Sequence, residues 1–298
     1  VLSEFRPPRG IGTLLGGGIA AWCFLLTALL LWRGLDRDIE LTTVFPYIAA
    51  TVFFGIGCLF AYWTYGCLTM RYGIDRNGLT IRWGDIRQFI PMDAIQRLVP
   101  GREEQPPRVT GVSWVGHHVG HGEAGKLGEA LFYSTHRSHE DLLYVVTPEQ
   151  TYGISVEDEV RFAEELQAHQ KLGAAAALPQ VTERSFLAAQ PFWHDPLAQF
   201  LALAAALGFA ALVSYVFYSY PDLPDSIPFS FPALGVTRVD DKSELLTIPT
   251  TGIGLLLLNL GLGFMLHAWE RAVGYLLFLT ALAAQGILIA ATAITLAQ

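Results

Sequence analysis

Three histidines, His117, His118 and His121, stand in an H-H-x-x-H spacing, and His136 and His139 form a second pair three residues apart. Neutral imidazoles clustered in this way can ligate zinc or another transition metal. No cysteine and no helical H-E-x-x-H frame supports them, and the nearest acid, Glu123, lies in glycine-rich chain that would not hold it rigidly. The stretch 101–130 that carries the cluster, GREEQPPRVTGVSWVGHHVGHGEAGKLGEA, reads as a long loop interrupting a sheet. Long loops in compact domains are often functional, and Trp114 among small residues suits a contact surface. The expectation is therefore a partner-binding surface formed by Trp114, His117, His118 and His121, with a metal held by the three histidines as the lesser alternative. The fragment GHGEAGKLG is not a phosphate loop, because Leu127 follows Lys126 where Ser or Thr is required. His194 and Asp195 are neighbours in sequence and read as helix-capping and solvated groups. No catalytic residue, metal or cofactor is assigned.

What positions these residues follows from composition. The chain has 298 residues, 52% hydrophobic and 15% charged, with a mean hydropathy of +0.38, more apolar than one soluble core needs. Crossing about 30 Å of hydrocarbon takes roughly 20 apolar residues in a helix. Stretches at about 10–32, 46–68, 196–218, 248–266 and 272–295 qualify, and none has a charged residue or histidine in its interior. The first is too long for a signal-peptide core and ends in LLLWRG without a small-residue cleavage site, so it reads as a retained span. Cys23, Cys58 and Cys67 lie in or beside spans without paired metal spacing, which argues for apolar packing over disulfides or zinc. Short-loop arginines (Arg6, Arg9, Arg71, Arg76, Arg184, Arg271 against Arg33, Arg37, Arg238 and Lys242) favour a cytoplasmic N-terminus and middle domain, with the C-terminus outside.

Between the second and third spans the pattern changes to alternation bounded by turn residues: Tyr72 and Ile74, then Asn77-Gly78, then Leu79, Ile81 and Trp83. Asn-Gly between alternating segments predicts a hairpin. RQFIPM, ALFYST, LLYVVT and TYGIS read as further strands, and a helix is expected from about Val156, with Ser155 as N-cap and Val160, Ala163 and Leu166 on one apolar face. GIDRNGLTIRWGDIRQFIPMDAIQRLVPG resembles the opening of bacterial pleckstrin-homology-like (PH-like) domains, and ALFYSTHRSHEDLLYVVTPEQTYGISVEDEVRFAEEL is similar to their closing half. The resemblance implies a small β-barrel or sandwich capped by a C-terminal α-helix. It leaves the ligand open, since such folds host lipid, peptide and protein binding alike. Residues 69–171 hold eleven Lys and Arg against fifteen Asp and Glu, which argues against a polybasic phosphoinositide site. Arg71, Arg76, Arg82 and Arg87 could form a local patch on the first hairpins, but salt bridges with partner residues and positive-inside anchoring are the roles expected of them.

The fold expected is thus a mixed membrane protein: a two-helix membrane hairpin over 1–68, an inserted cytoplasmic PH-like domain over 69–173, a linker over 174–195, and a three-helix membrane region over 196–298 with an outer loop at 219–247. That loop carries Pro224, Ile227, Pro228, Gly235, Asp240 and Lys242 in an order that resembles a short bacterial membrane domain seen in immunity-type proteins, though the histidine usual near Ile-Pro is absent. The plainer reading is a proline-stiffened loop with an Asp/Lys network. Within the spans, Asn259 and Gln285 are the main amides and are expected to meet across a helical hairpin, with Gly261 and Gly263 giving close helix contacts. The function expected is a non-catalytic scaffold or accessory subunit of the bacterial cytoplasmic membrane, presenting the PH-like domain to a protein partner or membrane complex. Membrane lipids are further partners, a homo-oligomer is left open, and nucleic acid is not among the partners expected. The alternatives are a lipid- or envelope-sensing or immunity-type protein, then a transporter or metal-dependent enzyme.

Overall fold

A computed structural model describes residues 3–176, 178–231 and 236–297. The chain divides into two compact units, one of residues 1–25 and 54–188, the other of residues 26–53 and 189–298. Helices α1 (Gly10–Leu35) and α2 (Leu41–Thr69) contribute to both.

In the first unit, strand β1 (Ser3–Phe5) precedes α1 and pairs with β2 (Arg71–Ile74), which follows α2. Strands β3 (Gly78–Trp83) and β4 (Ile86–Pro91) extend the sheet. The β2–β3 hairpin forms where the alternation predicts, but its turn is organised by Asp75, whose carboxylate accepts from the N–H groups of Asn77 and Gly78 at 2.8 and 3.0 Å. Strand β11 (Val181–Glu183), within the stretch read as a linker, closes the far edge, giving the order β1-β2-β3-β4-β11. A second sheet has the order β5-β9-β10-β8-β7-β6, from β5 (Arg97–Pro100), β6 (Arg108–Trp114), β7 (His117–Glu123), β8 (Glu129–Ser134), β9 (Leu143–Val146) and β10 (Thr151–Ile154).

Two expectations are corrected here. The sheets are open and do not close into a barrel: a short helical turn at Met92–Ala94 carries the chain from one sheet to the other, and the edges of the first are occupied by β1 and β11. The stretch 101–130 is not a bare loop either, because its centre is the β6–β7 hairpin, paired from Arg108↔Glu123 to Trp114↔His117. Its β-branched and aromatic residues alternate, a signal that the abundance of glycine hides.

The core lies between the sheets, where Tyr72, Ile74, Leu79 and Ile81 meet Val145, Tyr152 and Ile154. Helix α3 (Glu159–Leu172) covers one end, inserting Phe162 and Leu166. Its N-cap is Asp158, which accepts from the Arg161 N–H at 3.0 Å, rather than Ser155. Ser155 is buried, and its hydroxyl accepts from the Thr135 N–H at 2.7 Å, so the cap passes to Asp158, whose short carboxylate suits the position. Val160, expected on the apolar face, is 70% exposed.

The second unit contains α4 (Pro196–Ser219), the hairpin of β12 (Ser226–Phe231) and β13 (Val236–Asp241), α5 (Thr247–Leu266) and α6 (Arg271–Leu296). Inside this bundle are small or medium residues such as Ala205, Leu256 and Ala281, while Phe200, Leu207 and Leu257 point outward and are exposed. That inversion of size and polarity suits a bundle solvated by lipid, where close packing rather than water exclusion joins helices. Five helices, α1, α2, α4, α5 and α6, are long and apolar enough to cross a membrane, so the chain reads as a membrane protein. In the segment read as an outer loop, Pro224 precedes β12, Ile227 is buried, and Ile227↔Asp240 and Pro228↔Val239 are in register. Lys242 pairs with Asp225 at 3.1 Å and lies over the Tyr220 ring at 5.6 Å, the Asp/Lys network of the plainer reading. Gly235 lies outside the described residues.

The tip of the β6–β7 hairpin meets α1 without room for a side chain on either surface. A Cβ on Gly12 would collide with the Gly116 carbonyl, and Gly116 holds φ at +80°. Replacing Gly116 by valine combines a Cβ 2.9 Å from the Gly12 backbone nitrogen with a left-handed backbone that β-branched residues resist. A loss of about 2 kcal/mol is expected, read as a lower thermal unfolding midpoint of the detergent-solubilised protein, with Gly128→Val, which meets nothing within 4 Å although its φ is also positive, losing less.

Candidate functional site

Strand alternation decides what the histidines can do. Successive side chains on β7 point to opposite faces, and His117 and His121, although on one face, are separated by four residues, roughly 13 Å at 3.3 Å per residue. Among the described residues no group of three His, Cys, Asp or Glu converges on a point that could hold a metal. His117 is fully buried instead, stacked on Trp83 at 6.1 Å between ring centres and packed against Trp114 at 4.6 Å. His118 stacks on His136 at 4.0 Å; Ser113 and Ser134 hydroxyls lie 2.8 Å from the Nδ1 atoms of His118 and His136 respectively. His121 pairs with Thr110 and Leu131 in the ladder and reaches a separate hollow near Tyr133 and Tyr152.

Trp114 is turned inward as well. Its indole N–H donates to the Gly12 carbonyl at 3.2 Å, and its ring packs on Phe60 and Trp63 of α2 at 5.6 and 5.8 Å. The expected partner surface of Trp114, His117, His118 and His121 is therefore redirected: Trp114 and His117 lie in an internal aromatic contact between the hairpin and the helix ends. Sequence inspection misplaced it because a tryptophan among glycines looks the same whether it docks on another molecule or on its own chain.

A more open surface lies on the other side of the second sheet. Strand β5 is an edge, and α3 runs beside it, leaving a groove of about 600 Å³. Leu98, Val160, Ala163 and Leu166 form its apolar floor, and Arg97 and Glu164 stand at its rim. Gly101 N–H donates to the Leu142 carbonyl at 2.7 Å, in line with the Pro100↔Leu143 and Val99↔Tyr144 register. Antiparallel alternation from that bond leaves the Leu98 N–H and C=O and the Pro100 C=O directed away from β9. Pro100 thus sits at an edge position where its missing N–H forfeits no ladder bond. Neither the edge status of β5 nor the position of α3 could be read from local sequence, although an exposed valine on α3 is the trace they leave.

In the second unit the structure brings together residues that sequence reasoning left apart. Asp195 is the N-cap of α4, one carboxylate oxygen accepting from the Leu197 and Ala198 N–H groups, both at 3.1 Å. Its other oxygen accepts from the Tyr275 hydroxyl at 2.6 Å and lies 3.1 Å from His267 Nε2. The Tyr275 hydroxyl, followed by the Ala198 N–H, holds the Asp195 carboxyl below the usual carboxylate range. The cluster ties the start of α4 to the α5–α6 turn and contains no serine, cysteine or lysine nucleophile. Its signal was the Asp-Pro step before an apolar run; His267, in the turn between two spans, had none.

The two amides do not meet. Asn259 Nδ2 donates to the Leu255 carbonyl of its own helix at 2.8 Å, and Gln285 Nε2 donates to the Gly252 carbonyl at 3.1 Å. A backbone carbonyl exposed at a glycine is a nearer acceptor than another side chain. Gly263 packs directly on the Phe278 ring, whereas Gly261 meets nothing within 4 Å and makes no close helix contact.

Residues 70–170 match a family model described as "Bacterial PH domain". The match supports a PH-like domain in this part of the chain and does not extend to the outer segment around Pro224 to Lys242. No curated protein and no solved structure matches the chain.

Burial pushes His117 down to about 4 and His136 down to about 3, with the neighbouring His118 acting in the same direction on each. An unfolded chain takes up those protons near the ordinary value of about 6.5, so between there and about 4 the unfolded state binds more protons than the folded one. The stability contributed is complete above pH 6.5 and is lost as pH falls. The thermal midpoint of the purified protein is expected to drop steeply from pH 6.5 to 4.5, and His117→Leu, which also removes two unpartnered buried ring nitrogens, to flatten that drop. A wild-type midpoint unchanged over this range contradicts the burial argument.

Proposed function

We propose that this is a non-catalytic membrane protein whose PH-like domain captures an extended segment of a protein partner along β5, as an accessory or scaffolding subunit of a membrane complex. The observation that carries the reading is the free edge of β5 beside α3, with an apolar floor between them. An added strand gains affinity from main-chain hydrogen bonds to the edge and specificity from alternate side chains. Here the main-chain groups are Leu98 N–H and C=O and Pro100 C=O, and the side-chain site is the hollow of Leu98, Val160 and Ala163. Pro100 limits the added strand to a short one, in keeping with an edge that resists aggregation while admitting a specific segment. Strand β6 is the other edge of this sheet, but the end of that strand is occupied by the Trp114 contact with α1.

The arginine distribution supports a cytoplasmic setting for the domain, with the C-terminus outside. Transport and metal-dependent catalysis have less to draw on: the amides of Asn259 and Gln285 are engaged by backbone carbonyls.

The test is native mass spectrometry of the protein extracted from its own membranes in mild detergent, with Val160→Glu as the probe and exposed Arg137→Gln as the control. Co-purified subunits are expected with wild type and the control, and a loss of about tenfold or more in their occupancy with Val160→Glu, equivalent to at least about 1.4 kcal/mol. A lone chain in every case, or subunits indifferent to Val160→Glu, overturns the reading.

A further inference from the structure

The acidic balance of the domain conceals a segregated row of cations on the outer face of the first sheet. Arg71 on β2 stands directly opposite Arg82 on β3, and Arg82 directly opposite Arg87 on β4. Arg87 stands opposite Glu183 on β11 and pairs with it at 3.6 Å. On the other side, Arg6 follows Phe5, whose partner is Tyr72, so the row continues one strand further. Glu4 serves both Arg6, at 3.8 Å, and Arg71, at 3.4 Å. Arg82, in the middle of the row with an arginine on each side, makes no ion pair among the described residues. Like charges directly opposite one another in a sheet destabilise it. Solvent alone offsets this poorly next to hydrocarbon, and an external anion would offset it well.

The position of the row says which anion. Arg9 immediately precedes α1 and donates to the Leu68 carbonyl at the end of α2. A hollow of about 250 Å³ is lined by Glu4, Arg6, Arg9, Leu68, Thr69, Arg71 and Arg82, four guanidinium groups against one carboxylate that is already paired with Arg6 and Arg71. These are the ends of two apolar helices long enough to span a bilayer, so the hollow lies at the depth of the lipid headgroups. Tyr62 on α2 is exposed, in edge contact with the buried Trp83 at 5.8 Å, and supplies an aromatic residue of the kind usual near that depth. Guanidinium groups grip phosphate through paired N–H donors, and basic groups next to spans attract anionic lipids. We propose that Arg6, Arg9, Arg71 and Arg82 hold the phosphate of an anionic phospholipid headgroup, in the leaflet at which α1 begins and α2 ends. The proposal is independent of the β5 groove, which belongs to the other sheet.

The experiment uses the full chain in detergent micelles doped with phosphatidylglycerol or phosphatidylcholine, with retained lipid counted by native mass spectrometry. Wild type is expected to retain phosphatidylglycerol in preference to phosphatidylcholine, less so as salt rises. Arg82→Gln should weaken retention about fivefold, the worth of one basic residue at an anionic surface, Arg71→Gln with Arg82→Gln should weaken it further, and Arg82→Lys should keep most of it. Arg82→Gln removes no ion pair, so it is read on a protein whose unfolding midpoint in phosphatidylcholine micelles matches wild type. Equal retention of the two lipids, or retention unchanged in Arg82→Gln, overturns the proposal. Inorganic phosphate competing as well as the lipid overturns the lipid assignment in favour of a soluble anion. Val160→Glu should leave lipid retention unchanged, so that failure of one reading does not imply failure of the other.

Discussion

The first unit depends on one contact between backbones. Helix α1 and the β6–β7 turn approach until the Gly116 carbonyl lies against Gly12, a distance no side chain would permit. The Trp114 indole then reaches the Gly12 carbonyl, and its ring fills the space beside Phe60 and Trp63. A second small residue, Gly66 on α2, admits Trp83 in the same manner, since a Cβ there would overlap the indole. His117 is enclosed between these two tryptophans, which explains why its ring is deprived of solvent and held neutral. Glycine at these positions costs conformational entropy on folding. The return is aromatic burial of a few kcal/mol that joins the sheets to the helix ends.

Much of this was legible in the sequence where the physical signal is local. A run of some 20 apolar residues has one stable arrangement in lipid, and alternation between turn residues marks a strand whatever lies around it. Hence the five spans and most strands of the PH-like domain follow from pattern alone. What was hidden is non-local. Trp114 and Gly12 are 102 positions apart, and nothing near either residue indicates the other. Ser155 has a good N-cap environment, yet loses that role because the N–H of Thr135, just after β8, claims its hydroxyl. Gln285 and Asn259 were paired by proximity in a helical hairpin, whereas helix rotation aimed one at Gly252 and the other at its own backbone. In each case a distant partner outbid a local preference.

Charge shows the same limit in a different form. Counting residues gives a domain with more acids than bases, and a count cannot see register. Only the strand pairing aligns Arg71, Arg82 and Arg87 in one row, while acids such as Glu103, Glu104 and Glu123 gather around a separate hollow beside Lys126 and Arg108. A protein can be acidic overall and still present a cationic face wherever a sheet places alternate residues of three strands side by side.

The two sheets consequently offer different surfaces for different reasons. The edges of the first are strands of only three residues each, β1 before the first helix and β11 after α3, so the larger surface that sheet offers is its face. That face is cationic and adjoins the ends of α1 and α2. The second sheet keeps β5 as a free edge, and the helix beside it supplies an apolar floor where a fully paired strand would have left none. Gln88 and Gln180 both donate to the Tyr152 hydroxyl, at 2.8 and 2.5 Å, tying β4 and the segment before β11 to the middle of the second sheet. An occupied cationic face would restrain β4, and through this shared hydroxyl it would restrain β10, two strands from β5. Lipid held on one sheet and a strand added to the other would thus be connected through this phenol and through that of Tyr72, which donates to the Tyr133 carbonyl at 2.7 Å and accepts from the Ser155 N–H at 3.3 Å.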